Sequence, residues 1–219
     1  MRAATHARTD DLPASAQVVV VGAGIIGCAV GAELARGGVE VCVVDRVGPA
    51  AGTSSSGEGN LLVSDKLPGA DLAFTRDSLV RWRRLGDELG TRIEYQQKGG
   101  LMVARTEQDW QALSELAERQ RQRHQGLRAE PLAGPELWSL EPNLDRSVHG
   151  GVFYPEDAQV QPMLAVRALV AAIRHHGGHV VGGAEVHGVE RRRGGEIRAL
   201  VTTRGRVAVG SHVVNAAGA

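Results

Sequence analysis

Residues 18–27 read VVVVGAGIIG and decide the fold of this 219-residue chain. The four valines predict a buried strand, and the glycines after them predict a tight turn into a helix. In a dinucleotide-binding turn of this spacing, Gly22 allows the sharp reversal, Gly24 lets the backbone approach a pyrophosphate, and Gly27 lets the helix pack close to the sheet. The stretch therefore predicts the first strand, turn and helix of a Rossmann-like α/β domain.

The residues after the glycine turn complete a βαβ unit. Small residues suited to close packing occupy the predicted helix, about residues 25–36, and Gly37 ends it. Alternating valines over residues 39–44 predict the second strand, which ends at Asp45. An acid at this position can accept hydrogen bonds from the two ribose hydroxyls of an adenosine, and the N-terminal end of the helix favours a pyrophosphate. A βαβ unit that binds nothing is the alternative, but it would not require the acid.

A long loop of small and hydroxyl-bearing residues follows the acid. Residues 47–62 read VGPAAGTSSSGEGNLL. A nicotinamide-binding Rossmann domain usually passes from its second strand into another helix without such a loop. The loop could wrap an extended ligand with backbone amides and hydroxyls, whereas a flexible linker is the alternative for the run at residues 53–56.

The composition is that of a globular protein that does not bind nucleic acid. Hydrophobic residues make up 42% and charged residues 23% of the chain, close to globular averages. The formal net charge is zero, which argues against a nucleic-acid surface, and 3% aromatic residues are too few for a base-stacking platform.

Several other classes of segment and site are not predicted. No apolar stretch is long enough for a membrane span, and residues 1–16 lack the apolar core of a signal peptide. Cys28 and Cys42 form no CxxC motif, and a reducing cytoplasm is the simplest location. His175, His176 and His179 cluster at a predicted helix end without a suitably spaced acid, so we predict no metal site.

These motifs resemble those of the FAD-dependent amine and amino-acid oxidoreductases of the D-amino-acid oxidase and glycine oxidase superfamily. The resemblance rests on the glycine turn, Asp45, the hydroxyl loop, and the closing stretch VVNAAGA at residues 213–219. It covers residues 17–219. The stretches SSGEGNLL and DAQVQP are most similar to those of the bacterial opine oxidase, D-hydroxyproline dehydrogenase and hydrogen-cyanide synthase type subunits.

The resemblance implies that FAD is the cofactor and that it is held along its whole length. The loop would run from the adenosine to the isoalloxazine ring, Val186 would contact adenine through its backbone, and the last turn would close over the FAD. No residue can be assigned as a catalytic acid or base. The residues expected to contact FAD are Gly22, Ala23, Gly24, Ile25, Ile26, Gly27, Asp45, Arg46, Gly52, Thr53, Ser54, Ser55, Gly59, Asn60, Leu61, Val186, Ala216, Ala217 and Gly218.

The resemblance also implies a discontinuous domain organisation. Residues 1–16 are expected to be a loose leader. Residues 17–90 and 155–219 are expected to form a Rossmann-like FAD-binding domain. Residues 91–154, beginning with a hairpin at 93–104 that turns at Lys98-Gly99-Gly100, would start an inserted α+β substrate domain. Family members are longer, so we interpret the chain as an N-terminal part whose C-terminal remainder is absent or supplied by a partner subunit.

The activity implied is oxidation of the C–N bond of an amino acid or secondary amine, by hydride transfer to the flavin. The substrate would be a small molecule. Two alternatives stay open: a truncated FAD-binding fragment or subunit without turnover, and an NAD-linked dehydrogenase.

Overall fold

A computed structural model describes residues 10–89 and 92–218, which form two compact units. The first unit contains the described residues up to Glu58 together with those from Pro162 onward, and the second is Gly59–Gln161. In chain order the elements are β1 (Ser15–Val21), α1 (Ile25–Arg36), β2 (Val41–Val44), α2 (Thr53–Ser56), β3 (Asn60–Leu61), α3 (Ala70–Leu89), β4 (Gly100–Ala104), α4 (Glu107–Arg123), β5 (Glu130–Leu132), α5 (Pro135–Leu140), β6 (Gly150–Tyr154), β7 (Ala158–Gln159), α6 (Pro162–His175), β8 (His179–Val181), β9 (Val186–Arg191), β10 (Ile197–Thr202) and β11 (Gly205–Asn215).

The first unit is built on a six-stranded sheet in the order β8-β2-β1-β11-β10-β9. Strand β1 is parallel to both β2 and β11, and β2 is parallel to β8, whereas β9, β10 and β11 form an antiparallel meander. Val18, Val19 and Val20 of β1 and the three valines of β2 are buried because a parallel sheet is covered on both faces, and Val21 at the end of β1 is partly buried. The predicted Rossmann-like α/β fold is confirmed.

Helices α1 and α6 pack together beside this sheet, and a glycine sets their spacing. A Cβ on Gly31 would lie 2.8 Å from Cγ2 of Val43 in β2 and 3.0 Å from Cδ1 of Ile173 in α6. Ile173 is itself fully buried. Gly31, one turn beyond Gly27, therefore lets α1 pack closely against both β2 and α6.

The second unit contains a three-stranded antiparallel sheet, β4-β6-β5, and the short antiparallel pair β3-β7. Its core includes Leu72 and Leu79 of α3, Ala117 of α4, and Val152 and Tyr154 of β6. Because α3 buries its apolar side chains in this core, the units divide after Glu58 and after Gln161. The sequence had placed these boundaries after residues 90 and 154.

Two other expectations from the sequence differ from the structure. Strand β1 begins at Ser15 and Leu12 packs against the core of the first unit, so the later part of the predicted leader is ordered there; residues 1–9 lie outside the described residues. The hairpin predicted at residues 93–104 is wrong, because β4 pairs with β6 and Gln96 forms a bridge with Gln159. Gly99 is needed because a Cβ there would lie 2.3 Å from the ring of Phe153.

Across residues 10–89 and 92–218, no helix combines the length and the apolar character needed to cross a membrane.

We predict that Ile173→Ala destabilises the first unit, because it leaves a cavity between α6, α1 and the sheet. The expected loss is about 2–5 kcal/mol in the free energy of unfolding. Urea denaturation followed by far-UV circular dichroism measures it. Met163→Ala, on the same helix at a position that is 53% exposed, is the control and should have little effect. Equal losses in the two variants would contradict the packing described.

Candidate functional site

The glycine turn between β1 and α1 is closed by backbone on two sides. Gly22 has a φ of +106°, and its amide donates to the carbonyl of Val44 at 2.8 Å. A Cβ on Gly22 would lie 2.2 Å from the carbonyl oxygen of Ala216, and one on Gly27 would lie 1.9 Å from the carbonyl oxygen of Gly22. Both positions therefore require glycine. At Gly27 the constraint comes from the turn itself and not from the sheet.

Asp45 ties the glycine turn to the chain that follows β2. Its Oδ2 accepts a hydrogen bond from the amide of Ala23 at 2.8 Å. Its Oδ1 accepts from the amides of Val47 and Gly48, each at 2.9 Å. A carboxylate offers about four acceptor positions, so roughly one position, on Oδ2, is left for a ribose hydroxyl. The sequence pattern predicted the acid but not its bonds to the backbone.

The N-terminal end of α1 carries no neutralising acid. Gly24 precedes the helix without a capping side chain, and the first turn contains no Asp or Glu. The amide of Ile25 donates to Oγ of Ser54 at 2.9 Å. This bond brings the hydroxyl loop to the helix end, where the aligned peptide dipoles favour an anion. Ser54 keeps its own hydroxyl proton for a further acceptor.

Two residues near the turn have roles that the sequence analysis missed. The amide of Ala50 donates to the carbonyl of Ala23 at 3.0 Å, and Ala50 is buried with a φ of +59°. The thiol of Cys28 donates to the same carbonyl at 3.4 Å. Burial, together with the nearby charge of Asp45, raises the pKa of Cys28 to about 12, so the thiol keeps its proton. An alanine in a left-handed conformation has no sequence signature, so Ala50 could not be found by pattern.

The turn after β11 lies against the glycine turn. In the parallel pairing of β1 with β11, Val21 faces Asn215, and the amide of Ala216 donates to the carbonyl of Val21 at 2.8 Å. The amide of Ala217 donates to Oδ1 of Asn215 at 3.2 Å. The predicted contact residues at this turn therefore lie at the same edge of the sheet as Gly22.

The connection from β8 to β9 runs past Asp45. The amide of Asp45 donates to the carbonyl of Val181 at 3.0 Å, and the amide of Ala184 donates to the carbonyl of Asp45 at 2.8 Å. Val186 follows two residues later, as the first residue of β9, paired with Thr202. Val186, the predicted adenine contact, therefore lies two residues after Ala184, which is hydrogen-bonded to Asp45, the predicted ribose contact.

The remaining predicted residues divide between the two units. Arg46, Ile26, Gly52, Thr53 and Ser55 are exposed in the first unit. Gly59, Asn60 and Leu61 belong to the second unit, where Asn60 and Leu61 form β3. Within the described part of the chain, no group of His, Cys, Asp and Glu side chains has the arrangement of a metal site.

Taken together, these contacts make a cradle suited to an extended anion that carries hydroxyl groups. The helix end offers positive potential, the glycines keep the backbone accessible, and Asp45 offers an acceptor. The donor set fits the adenosine diphosphate half of a dinucleotide. No feature of it identifies the other half.

Comparison with known proteins identifies relatives along almost the whole chain. The family model described as DAO, FAD dependent oxidoreductase, matches residues 17–219. A glycine oxidase of Bacillus licheniformis is 28% identical over 206 residues, which are 91% of this chain and 53% of that protein. The chain thus spans about half the length of this curated relative.

Solved structures of two flavoenzyme-family relatives resemble this chain over almost its whole length. A glycine oxidase from Geobacillus kaustophilus superposes with a TM-score of 0.86 at 27% identity, over 94% of this chain and 56% of that one. An L-proline dehydrogenase from P. horikoshii superposes with a TM-score of 0.85 at 26% identity, over 95% of this chain and 54% of that one.

We predict that Asp45→Ala weakens binding of FAD by about tenfold or more, because hydrogen bonds to a charged acceptor are worth about 1.5–3 kcal/mol each. The variant loses both the free acceptor position and the bonds that shape the turn. Isothermal titration calorimetry measures the dissociation constant. Glu33→Ala, which removes an exposed acid of the same unit, is the control. An unchanged dissociation constant in a folded Asp45→Ala protein would reject the role of Asp45.

Proposed function

The chain belongs to the DAO family of FAD-dependent oxidoreductases, and on this premise we propose that it forms the cofactor-binding part of a flavoenzyme that oxidises the C–N bond of an amino acid or secondary amine. The cofactor of the family is FAD. The single observation that carries the proposal is the convergence of the glycine turn, Asp45 and the turn after β11 at one edge of the parallel sheet.

The described residues fit the adenosine diphosphate half of FAD. A Cβ on Gly24 would lie 3.1 Å from Oγ of Ser54, so glycine leaves room for the hydroxyl and the backbone at the helix end. We propose that the amides of the first helical turn and the hydroxyl of Ser54 hold the pyrophosphate. Asp45 would accept from a ribose hydroxyl, and Val186 would meet adenine.

The flavin end would be held by the rest of the loop. We propose that the stretch from Gly52 to Ser55 follows the pyrophosphate and that Gly59, Asn60 and Leu61 lie along the ring. The bound cofactor would supply the acceptor for a hydride that leaves the carbon next to the amine. What these residues contribute is orientation and exclusion of water, since none of them is an assigned acid or base.

The substrate class rests on the relatives' names alone. They include glycine oxidase, L-proline dehydrogenase and mouse mitochondrial sarcosine dehydrogenase. Glycine, L-proline and sarcosine each carry an amine on the carbon next to a carboxylate. A small amino acid or secondary amine is therefore the proposed substrate. Because the chain spans about half of the glycine oxidase, the groups that bind the substrate would come largely from further polypeptide, in the same protein or in a partner subunit.

A second candidate function follows from the same fact of length. The chain could act as an FAD-binding subunit or fragment without turnover of its own, because it contains the proposed nucleotide cradle but spans only about half of the glycine oxidase. The NAD-linked alternative has no support, since the family is FAD-dependent. A location in the cytoplasm stays a prediction, with two free buried cysteines as its support.

We expect the purified chain to bind FAD in preference to NAD, because the long loop suits a ligand that extends beyond the diphosphate. The visible absorption of bound flavin, and chromatography of small molecules released by denaturation, are the measurements. Recovery of NAD without any flavin would reject the assignment of the cofactor.

We also predict that the chain alone oxidises amines slowly or not at all, because it supplies few of the groups that would orient a substrate and shield the ring from water. The assay uses glycine, sarcosine, D-proline and D-alanine with an artificial electron acceptor and added FAD. Free FAD without protein gives the baseline. Robust FAD-dependent turnover by a monodisperse 219-residue protein would contradict this prediction and the subunit reading together.

A further inference from the structure

We propose that Asp157, Gln120 and Tyr154 are positioning residues that hold residues 59–66 in the conformation in which this segment meets the flavin end of FAD. The inference rests on the proposed function for its ligand. The contacts that support it lie wholly within the second unit. We call residues 59–66 the flavin segment.

Asp157 holds the first half of the flavin segment. Its carboxylate is fully buried, and Oδ1 accepts a hydrogen bond from the amide of Val63 at 2.7 Å. The residues shortly before Val63 are held by the strand next to Asp157, because Asn60 pairs with Gln159 and Leu61 pairs with Ala158 in the β3–β7 ladder. Asp157 therefore extends the ladder by one contact beyond the end of β3.

A glycine provides the space for this carboxylate. A Cβ on Gly100 would lie 2.3 Å from Oδ2 of Asp157. The amide of Gly99, just before β4, also donates to the carbonyl of Asp157 at 3.0 Å and fixes the backbone of this residue. The Gly99-Gly100 pair, which the sequence suggested as a hairpin turn, thus serves the site of Asp157.

Gln120 holds the second half of the flavin segment. Its side chain is fully buried, and Nε2 donates to the carbonyl of Lys66 at 2.6 Å and to that of Val63 at 3.4 Å. The hydroxyl of Tyr154, also fully buried, donates to Oε1 of Gln120 at 2.8 Å. This bond fixes which end of the amide faces the segment, because Oε1 must face the hydroxyl.

Buried polar groups of this kind are costly unless every partner is in place. Burial raises the pKa of the Asp157 carboxyl, and the charge of Asp65 acts in the same direction, while the hydroxyl of Ser64 and the amides of Val63 and Ser64 lower it. An apolar core would fill the same space without that cost. What the polar set adds is a defined path for the backbone of residues 63–66, immediately after the residues proposed to lie along the ring.

The two halves of FAD allow this role to be separated from the nucleotide cradle. ADP carries only the half that the first unit would hold, whereas FAD adds the ring that the flavin segment would meet. The experiment therefore measures the dissociation constants of ADP and of FAD for the 219-residue chain and each variant by isothermal titration calorimetry. The wild-type chain should bind FAD more tightly than ADP.

Asp157→Ala should leave the ADP dissociation constant within about twofold and reduce the preference for FAD over ADP by about five- to tenfold, the effect of losing one orienting hydrogen bond. Asp157→Asn keeps an oxygen that can accept from the amide of Val63 and should restore most of the preference. Glu115→Ala removes an exposed acid of α4 in the same unit, paired with Arg119 and outside the flavin segment, and is the control that should change neither constant.

Tyr154→Phe tests the same positioning role if Asp157→Ala fails to fold. It removes one buried hydroxyl with almost no change of shape, and it should lower the FAD preference in the same direction by releasing the amide of Gln120. All three tryptophans, Trp82, Trp110 and Trp138, lie in the second unit, so their fluorescence reports whether that unit is folded in each variant.

The possible outcomes separate the two proposals. Absence of FAD and ADP binding by the wild-type chain would reject the proposed function. Equal affinities for FAD and ADP in the wild type would overturn the present inference alone, and so would an unchanged FAD preference in a folded Tyr154→Phe protein.

Discussion

The arrangement of the turn between β1 and α1 depends on one carboxylate that accepts hydrogen bonds from three backbone amides. Asp45 holds the amide of Ala23 on one oxygen and those of Val47 and Gly48 on the other. Without this carboxylate, the amides of Ala23, Val47 and Gly48 would lose the acceptor to which they donate. The turn after β11 packs against Gly22 in this turn, and the connection after β8 forms hydrogen bonds with the backbone of Asp45.

The elements closest to the glycine motif could be predicted from the sequence because their signals are local. A run of β-branched valines bounded by a glycine turn indicates a strand covered on both faces, and the spacing of Gly22, Gly24 and Gly27 indicates a tight turn into a helix. At Gly27, the nearest atom to an added Cβ is the carbonyl oxygen of Gly22, which directly follows β1. Contact with its own turn and contact with a strand both demand a missing side chain, and the sequence cannot distinguish them.

The parts that could not be predicted depend on contacts distant in sequence. Residues Gly99 and Gly100 carry the usual signature of a hairpin, yet a side chain there would clash with Phe153 of β6 and with Asp157 in the connection from β6 to β7. Helix α3 has an apolar face that would suit either unit, and only its packing decides which. In the same way, the bond from Ile25 to Ser54 joins residues 29 positions apart, and no pattern of the loop indicates which hydroxyl reaches the helix.

The interrupted course of the first unit has a consequence for how the chain folds during synthesis. Strand β1 lies between β2, which follows it closely, and β11, which ends at residue 215. Until the ribosome has released β11, one edge of β1 has no partner, and the whole of the second unit has meanwhile emerged as a continuous segment. Because distant pairings are slow to form and open edges invite association, we expect the second unit to fold first and the central strand to wait longest for its neighbour.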